Sequence, residues 1–341
     1  MNAREIALAT LELCPTTRPA VALLSGGCWT INRQGYSLQD MFGRPDLLAD
    51  LIVGSNVFAP SDIVWVGSGY HNLAISALGG ELKFRIKGPP DVKRPLLESA
   101  DSAANLPLDN LSRDLQIDTL VKATRLVAKT IGDRALVGSS QWGPFTLTGH
   151  LLGVERVMRS MVKNPAEVHA VLEFATRLTV EYLELFHRAG AEVVSIAEPS
   201  ASGDLISRSH FAQFALPYLT EAIRQLKAKG LKVVIHICGN VTNRLDLLAG
   251  SGADLLSVDY KVSLADVREK LRGKMAFSGN LNPVAVMQNA SPEQVSEEAR
   301  KALTLAGTEP GYMLMPGCDI PPAVPLDNIR SLFRFAHESR R

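Results

Sequence analysis

Short apolar runs recur along the chain. Each is followed by a polar or glycine-containing turn and then by a segment of helical periodicity. The runs are Ala20–Leu24, Asp62–Val66, Ala135–Ser139, Glu192–Ala197, Lys232–Ile237, Asp254–Val258, Met275–Ser278 and Tyr312–Met315. Most are rich in Val, Ile and Leu without polar alternation, the pattern of parallel strands buried on both faces. The segment "NPAEVHAVLEFATRLTVEYLELFHRAG" predicts a helix with Asn164 as N-cap, Pro165 in the first position and Glu167 completing a capping box. Val168, Val171, Leu172, Ala175, Leu178, Tyr182 and Leu185 then keep one apolar stripe, and Gly190 ends it. "SPEQVSEEARKALTLAG" repeats this grammar with Ser291, Pro292, Gln294 and Gly307.

Eight strands alternating with helices predict an α/β fold, a single (β/α)8 TIM barrel over residues 1–341. A doubly wound open sheet fits less well, because no G-x-G-x-x-G opens a helix after any strand. Residues 1–19 read as an N-terminal helical segment. The span 67–134 after the second strand is long enough to carry an insertion, with a Pro-rich surface excursion from Gly88 to Pro107.

Composition changes this picture little. The chain is 46% hydrophobic and 21% charged, with 36 basic and 35 acidic residues. No block of one sign stands out, so neither a nucleic-acid nor a membrane partner is expected. The N-terminus has acids among its apolar residues and reads as an amphipathic helix, not a signal peptide. No apolar run is long enough to span a membrane, and a cytoplasmic location is the expectation. Four widely spaced cysteines, Cys14, Cys28, Cys238 and Cys318, are not the framework of a small disulfide-bonded domain.

Active sites of such barrels lie at the C-terminal ends of the strands. The fifth run ends in "HICGN", and residues two apart on a strand face the same way, so His236 and Cys238 aim at one spot. The eighth run ends in "MPGCDIPP", which brings Cys318 to the same rim. One nitrogen and two sulfurs suit tetrahedral zinc, and three protein ligands leave a fourth position open, as catalytic zinc sites do. Each residue alone is more simply a buried thiol or a core histidine. Their joint placement on two strand ends favours the metal.

The chain resembles the uroporphyrinogen decarboxylase superfamily, and within it the zinc-dependent methyltransferases that work with corrinoid proteins. The resemblance rests on "QWGPFTLTGHLLGVE", "EPSASGDLISRSHFAQFALPY", "HICGN", "SGNLNPVAVM" and "MPGCDIPP". It implies a (β/α)8 barrel, zinc held by His236, Cys238 and Cys318, and a corrinoid (cobalamin) cofactor brought by a separate corrinoid protein. The decarboxylase branch has an Arg-rich loop of the type "RQAGRY" after the first strand. Here the stretch reads "INRQGYS", so Arg33 remains and the second arginine is missing. A polycarboxylate substrate needs several positive groups, which argues against decarboxylation.

Other strand-end residues carry weaker expectations. Glu198 reads as a general acid or a resting-state metal ligand, and equally as a carboxylate capping a turn. Asp259 reads as an acceptor orienting His236, as a fourth ligand, or as a brace for the rim through backbone N–H groups. Trp29, Tyr70, His71, Trp142 and Asn280 are candidates to line a substrate pocket, and Cys28 a small residue in a Gly-rich turn. Basic residues near the strand ends are few: Arg33, Arg208 and Lys261. With aromatic and acidic groups better represented, the favoured expectation is an enzyme that takes a methyl group from a small methoxy- or methylamine-type donor, an O-demethylase component. A methylcorrinoid:coenzyme M methyltransferase, a decarboxylase and a non-catalytic corrinoid- or metal-binding barrel are the alternatives. The oligomeric state stays open, a homodimer included.

Overall fold

The computed structural model describes residues 1–24 and 26–340. Eight parallel strands form one sheet: β1 (Ala20–Val21), β2 (Ile63–Val66), β3 (Leu136–Trp142), β4 (Val193–Ala197), β5 (Lys232–Ile237), β6 (Leu255–Val258), β7 (Ala276–Leu281) and β8 (Tyr312–Pro316). Their order is β1-β8-β7-β6-β5-β4-β3-β2, with every neighbouring pair parallel. This is the expected (β/α)8 barrel, and each strand lies on or within a few residues of its predicted run.

Strand alternation divides the core in two. Inward-facing Ala20, Ala22, Ile63, Trp65, Leu136, Val193, Val234, Leu255, Ala276 and Met313 fill the barrel. The helix Ala3–Leu11 closes its lower end with Ile6, Ala7 and Leu11. Outward-facing residues such as Val64, Val137, Val194, Ile235 and Leu256 pack on the surrounding helices. Higher in the barrel the inward positions turn polar, with buried Ser140, Ser195, His236, Ser257 and Ser278. The floor is therefore apolar and the upper interior can hydrogen-bond.

The ring closes between β1 and β2 with few backbone bonds. The Asp62 N–H donates to the Val21 carbonyl at 2.9 Å, and the Val21 N–H donates to the Asp62 carboxylate at 2.8 Å. The Trp65 indole N–H donates to the Leu23 carbonyl at 2.8 Å. Arg18 meets both oxygens of Asp62, at 2.8 and 2.6 Å. Asp62 is fully buried, and burial pushes its carboxyl up against the pull of Arg18.

The 67–134 span carries a short helix (Leu73–Ala77), a two-stranded ribbon (Leu82–Lys83 with Asp91–Val92) and the long helix Leu115–Ile131. The helix Pro165–Arg188 begins where expected, but Asn164 does not cap it with its side chain. Glu167 instead accepts from Arg156 and from the Ser160 hydroxyl, so the preceding helix outcompetes the local box. The capping box of Ser291 and Gln294 forms as predicted.

Removing one member of a buried ion pair leaves the other uncompensated, at a cost of about 3–5 kcal/mol. Arg18→Ala is expected to lower stability by that order, read as the shift in the urea midpoint. A Lys substitution should recover part of the loss.

Candidate metal centre

His236 is the last inward residue of β5, and Cys238 follows it at the rim. Gly239 then takes φ +78°, and a Cβ there would sit 2.5 Å from an Asp204 carboxylate oxygen, so the turn that presents Cys238 demands glycine. Cys318 stands just past β8, behind Gly317, where a Cβ would lie 2.6 Å from the Tyr260 backbone nitrogen. These two close approaches seat the turns that carry Cys238 and Cys318 against the neighbouring strand-end loops.

The His236 Nε2 lies 3.1 Å from Cys238 Sγ, and the two sulfurs are 3.4 Å apart. One donor atom from each of the three residues falls within 4.8 Å of the others, the metal-ligand cluster found among the described residues. His236 is buried, while both cysteines are half-buried, so the cluster has an open side. The other ring nitrogen, Nδ1, is 3.1 Å from the Ser257 hydroxyl. That contact directs Nε2 at the sulfurs.

The charges also fit a cation. Cys318 is held well below the usual thiol range, to about 4, first by the hydrogen bond with Cys238 and then by His236. Cys238 is pushed far up by the neighbouring Cys318 sulfur and by burial. Two thiolates at this spacing need a positive ion between them, and a soft N, S, S donor set suits zinc.

Asp259 does not face His236. Its oxygens accept from the Gly239 and Lys261 N–H groups at 2.9 and 3.0 Å, so it braces the turn that carries Cys238. Ser257, two residues earlier on the same inward face, makes the contact to His236, and Asp259 takes the bracing role among the three open to it. The sequence signal for Ser257 was the period of two from Asp259.

Glu198 is fully buried. Ala197 is the inward residue paired with His236, so Glu198 turns to the outer side, beneath the helix Pro144–Leu152. There Oε1 accepts from the Phe145 N–H at 2.9 Å, and Oε2 accepts from the Thr146 N–H and hydroxyl at 2.8 and 2.7 Å. Burial raises its carboxyl to about 7 against these donors.

The aromatic candidates separate. Trp29 is fully buried, with its indole N–H donating to the Val324 carbonyl. Tyr70 is buried with its hydroxyl donating to the Leu38 carbonyl. In each the polar atom is committed to backbone, although Tyr70 borders a cavity beside Gly67 and Ser68. His71 and Trp142 lie together at the mouth, with ring centroids 4.4 Å apart. Trp142 donates to Asn72, and His71 Nε2 meets the inward Ser140 hydroxyl at 2.8 Å. Asn280 donates to the Asp259 and Val262 carbonyls and ties the β7 end to the β6 loop. Cys28 packs against Gly69, with burial raising its thiol.

The fold and rim together define a parallel β/α barrel with a His/Cys/Cys cluster that could hold a metal ion at the C-terminal ends of its strands. The chain belongs to the uroporphyrinogen decarboxylase family, whose profile, described as uroporphyrinogen decarboxylase (URO-D), matches residues 17–339. It is 29% identical over 332 residues to a methylcobamide:CoM methyltransferase MtaA of Methanosarcina barkeri, covering 95% of this chain and 94% of that protein. It is 27% identical over 254 residues to a uroporphyrinogen decarboxylase of Chromohalobacter salexigens, covering 72% and 70%. A solved methyltransferase from Methanosarcina mazei superposes with a TM-score of 0.90 at 25% identity, covering 99% of both chains. No described helix is long and apolar enough to cross a membrane.

Purified protein is expected to hold about one zinc per chain, and Cys318→Ala to lose it with the fold retained. Ser257→Ala should keep all three ligands yet bind zinc roughly 10–100-fold more weakly. Competition with a chromogenic chelator measures both. Full zinc retention by Cys318→Ala would remove Cys318 from the ligand set.

Proposed function

We propose that this protein is a zinc-dependent methyltransferase of a corrinoid system, carrying a methyl group from a methylcorrinoid protein to a thiol. The His236–Cys238–Cys318 cluster carries the reading. Identity to a methyltransferase and to a decarboxylase is similar, so similarity alone does not separate them. A half-open centre of two sulfurs and one imidazole gives a thiol a metal to bind. It has no part in removing carboxylates from a tetrapyrrole.

The preference for demethylation is corrected here. It rested on an aromatic wall of Trp29, Tyr70 and Trp142 and on Glu198 as an acid. Trp29 and Tyr70 are buried and tied to backbone, and both oxygens of Glu198 are engaged by the helix at Pro144. The named relative transfers from methylcobamide to CoM, which supports the thiol direction.

Zinc held at this site supplies a positive centre that keeps an acceptor thiol deprotonated at neutral pH and its sulfur exposed. The chain supplies the rest. Ser257 fixes the face His236 shows. Asp259 and Gly239 fix the turn of Cys238, and the half-buried cysteines leave the acceptor side open to a corrinoid carried by its own protein. Glu198 is a positioning group: it caps the helix that follows Trp142 and sets where that indole stands.

Zinc-loaded protein with methylcobalamin and a small thiol such as mercaptoethanol should produce the methyl thioether and cob(I)alamin, followed by absorbance. Transfer from methoxylated aromatics or methylamines to cob(I)alamin, without thiol methylation, would reverse the direction. A second measurement concerns Glu198, whose folded-state pKa of about 7 lies above its ordinary value of 4.5. The folded state then binds the proton more tightly, so Glu198 lends stability below about 4.5 and loses it as pH rises through about 7. The melting temperature of the wild type should therefore fall across that window relative to Glu198→Gln. Parallel curves would place the pKa elsewhere.

A further inference from the structure

The barrel mouth has a second wall, opposite the metal ligands. Trp142 pairs in register with Ala197, and Ala197 with His236, so these three inward residues share one level of the barrel. Strands two apart are on the order of 10 Å from each other, and the residue between them at this level is the small Ala197. On the far side His71 lies against Trp142, and His150 stands 6.2 Å from the same indole. Both imidazoles are held neutral by burial, His71 down to about 4. His71 spends Nε2 on Ser140, and its Nδ1 has no hydrogen-bond partner among the described residues. Nor is that nitrogen among the described buried polar atoms sealed without a partner. It is free to meet a ligand.

The places where an anionic group would bind are taken. The first N–H groups of the helix Pro144–Leu152, next to Trp142, already hold the Glu198 carboxylate. Lys261 is paired with Asp204 at 2.8 Å, and Arg208 with both oxygens of Asp246. Arg244 is fully buried and donates to the Ala201 and Ile206 carbonyls. Arg33 is the exception: its guanidinium lies over the Trp29 and Phe58 rings, and its buried Nε has no hydrogen-bond partner among the described residues.

We propose that the acceptor is a small thiol with an uncharged hydrogen-bonding end, and that His71 holds that end across the mouth from His236, Cys238 and Cys318. The proposal rests on the thiol-acceptor reading above and narrows it: a sulfonate-bearing thiol would place its charge against the neutral His71 and Trp142. His71 acts here on the substrate's far end and the metal on its sulfur, so the two contributions separate.

The test titrates cobalt(II)-substituted full-length protein with mercaptoethanol, ethanethiol and mercaptoethanesulfonate, reading binding from the sulfur-to-cobalt absorption. Mercaptoethanol should bind the wild type at least about 10-fold more tightly than mercaptoethanesulfonate. His71→Ala should weaken mercaptoethanol about 10-fold, the size of one lost hydrogen bond, and leave ethanethiol and cobalt content unchanged. His71→Gln, which keeps a donor, should recover part of the loss. Tighter binding of the sulfonate, an equal loss for ethanethiol in His71→Ala, or no spectral response to any thiol would each overturn the proposal. Methylcobalamin added to the zinc-loaded protein with the same thiols separates the two claims. Selective binding without methyl transfer would sink the transfer reading and leave the acceptor selectivity standing.

Discussion

Two sulfur atoms 3.4 Å apart in a half-buried corner cannot both carry negative charge unless a cation stands with them. Much of the upper barrel can be read as the means of holding that pair in place. Gly239 and Gly317 are glycines because a side chain at either would strike Asp204 or the Tyr260 backbone. Asp259 accepts from the turn beside Cys238, Asn280 ties the next strand end to the same loop, and Ser257 turns the imidazole toward the sulfurs. Backbone groups and neutral side chains do most of this bracing, joined by the Asp259 carboxylate.

Strand parity separates the reactive side from the supporting side. Inward positions on β5 and β6 give His236 and Ser257, and the adjacent outward position at the end of β4 gives Glu198. A carboxylate turned outward meets a helix N-terminus, where free N–H groups and the helix dipole satisfy it. The cost is that it is fully buried and its pKa rises. A shifted pKa by a strand end suggests chemistry; here burial beneath the helix raises it, and the Phe145 and Thr146 donors pull it back down.

The lower barrel uses the same economy. β1 is two residues long and β2 four, too short for a full ladder between them. One carboxylate, Asp62, stands in for the missing backbone acceptor and draws Arg18 in with it. The apolar floor and the N-terminal helix beneath it then seal the barrel, with Arg4 paired to Glu192 and Glu12 to Lys232 at its edge.

The eight strands, the inward aim of His236 and the meeting of Cys238 with Cys318 could be read from local pattern. Buried parallel strands write themselves as apolar runs, and a period of two fixes which residues share a face. Trp29 and Tyr70 looked like pocket walls from their strand-end positions, yet their polar atoms go to Val324 and Leu38, 295 and 32 residues away respectively. Asn164 looked like a helix cap until Arg156 and Ser160 claimed Glu167. Direction along a strand is a local property of the backbone. Which donor satisfies a buried polar group depends on what the closed barrel brings beside it, and that is a property of the tertiary structure alone.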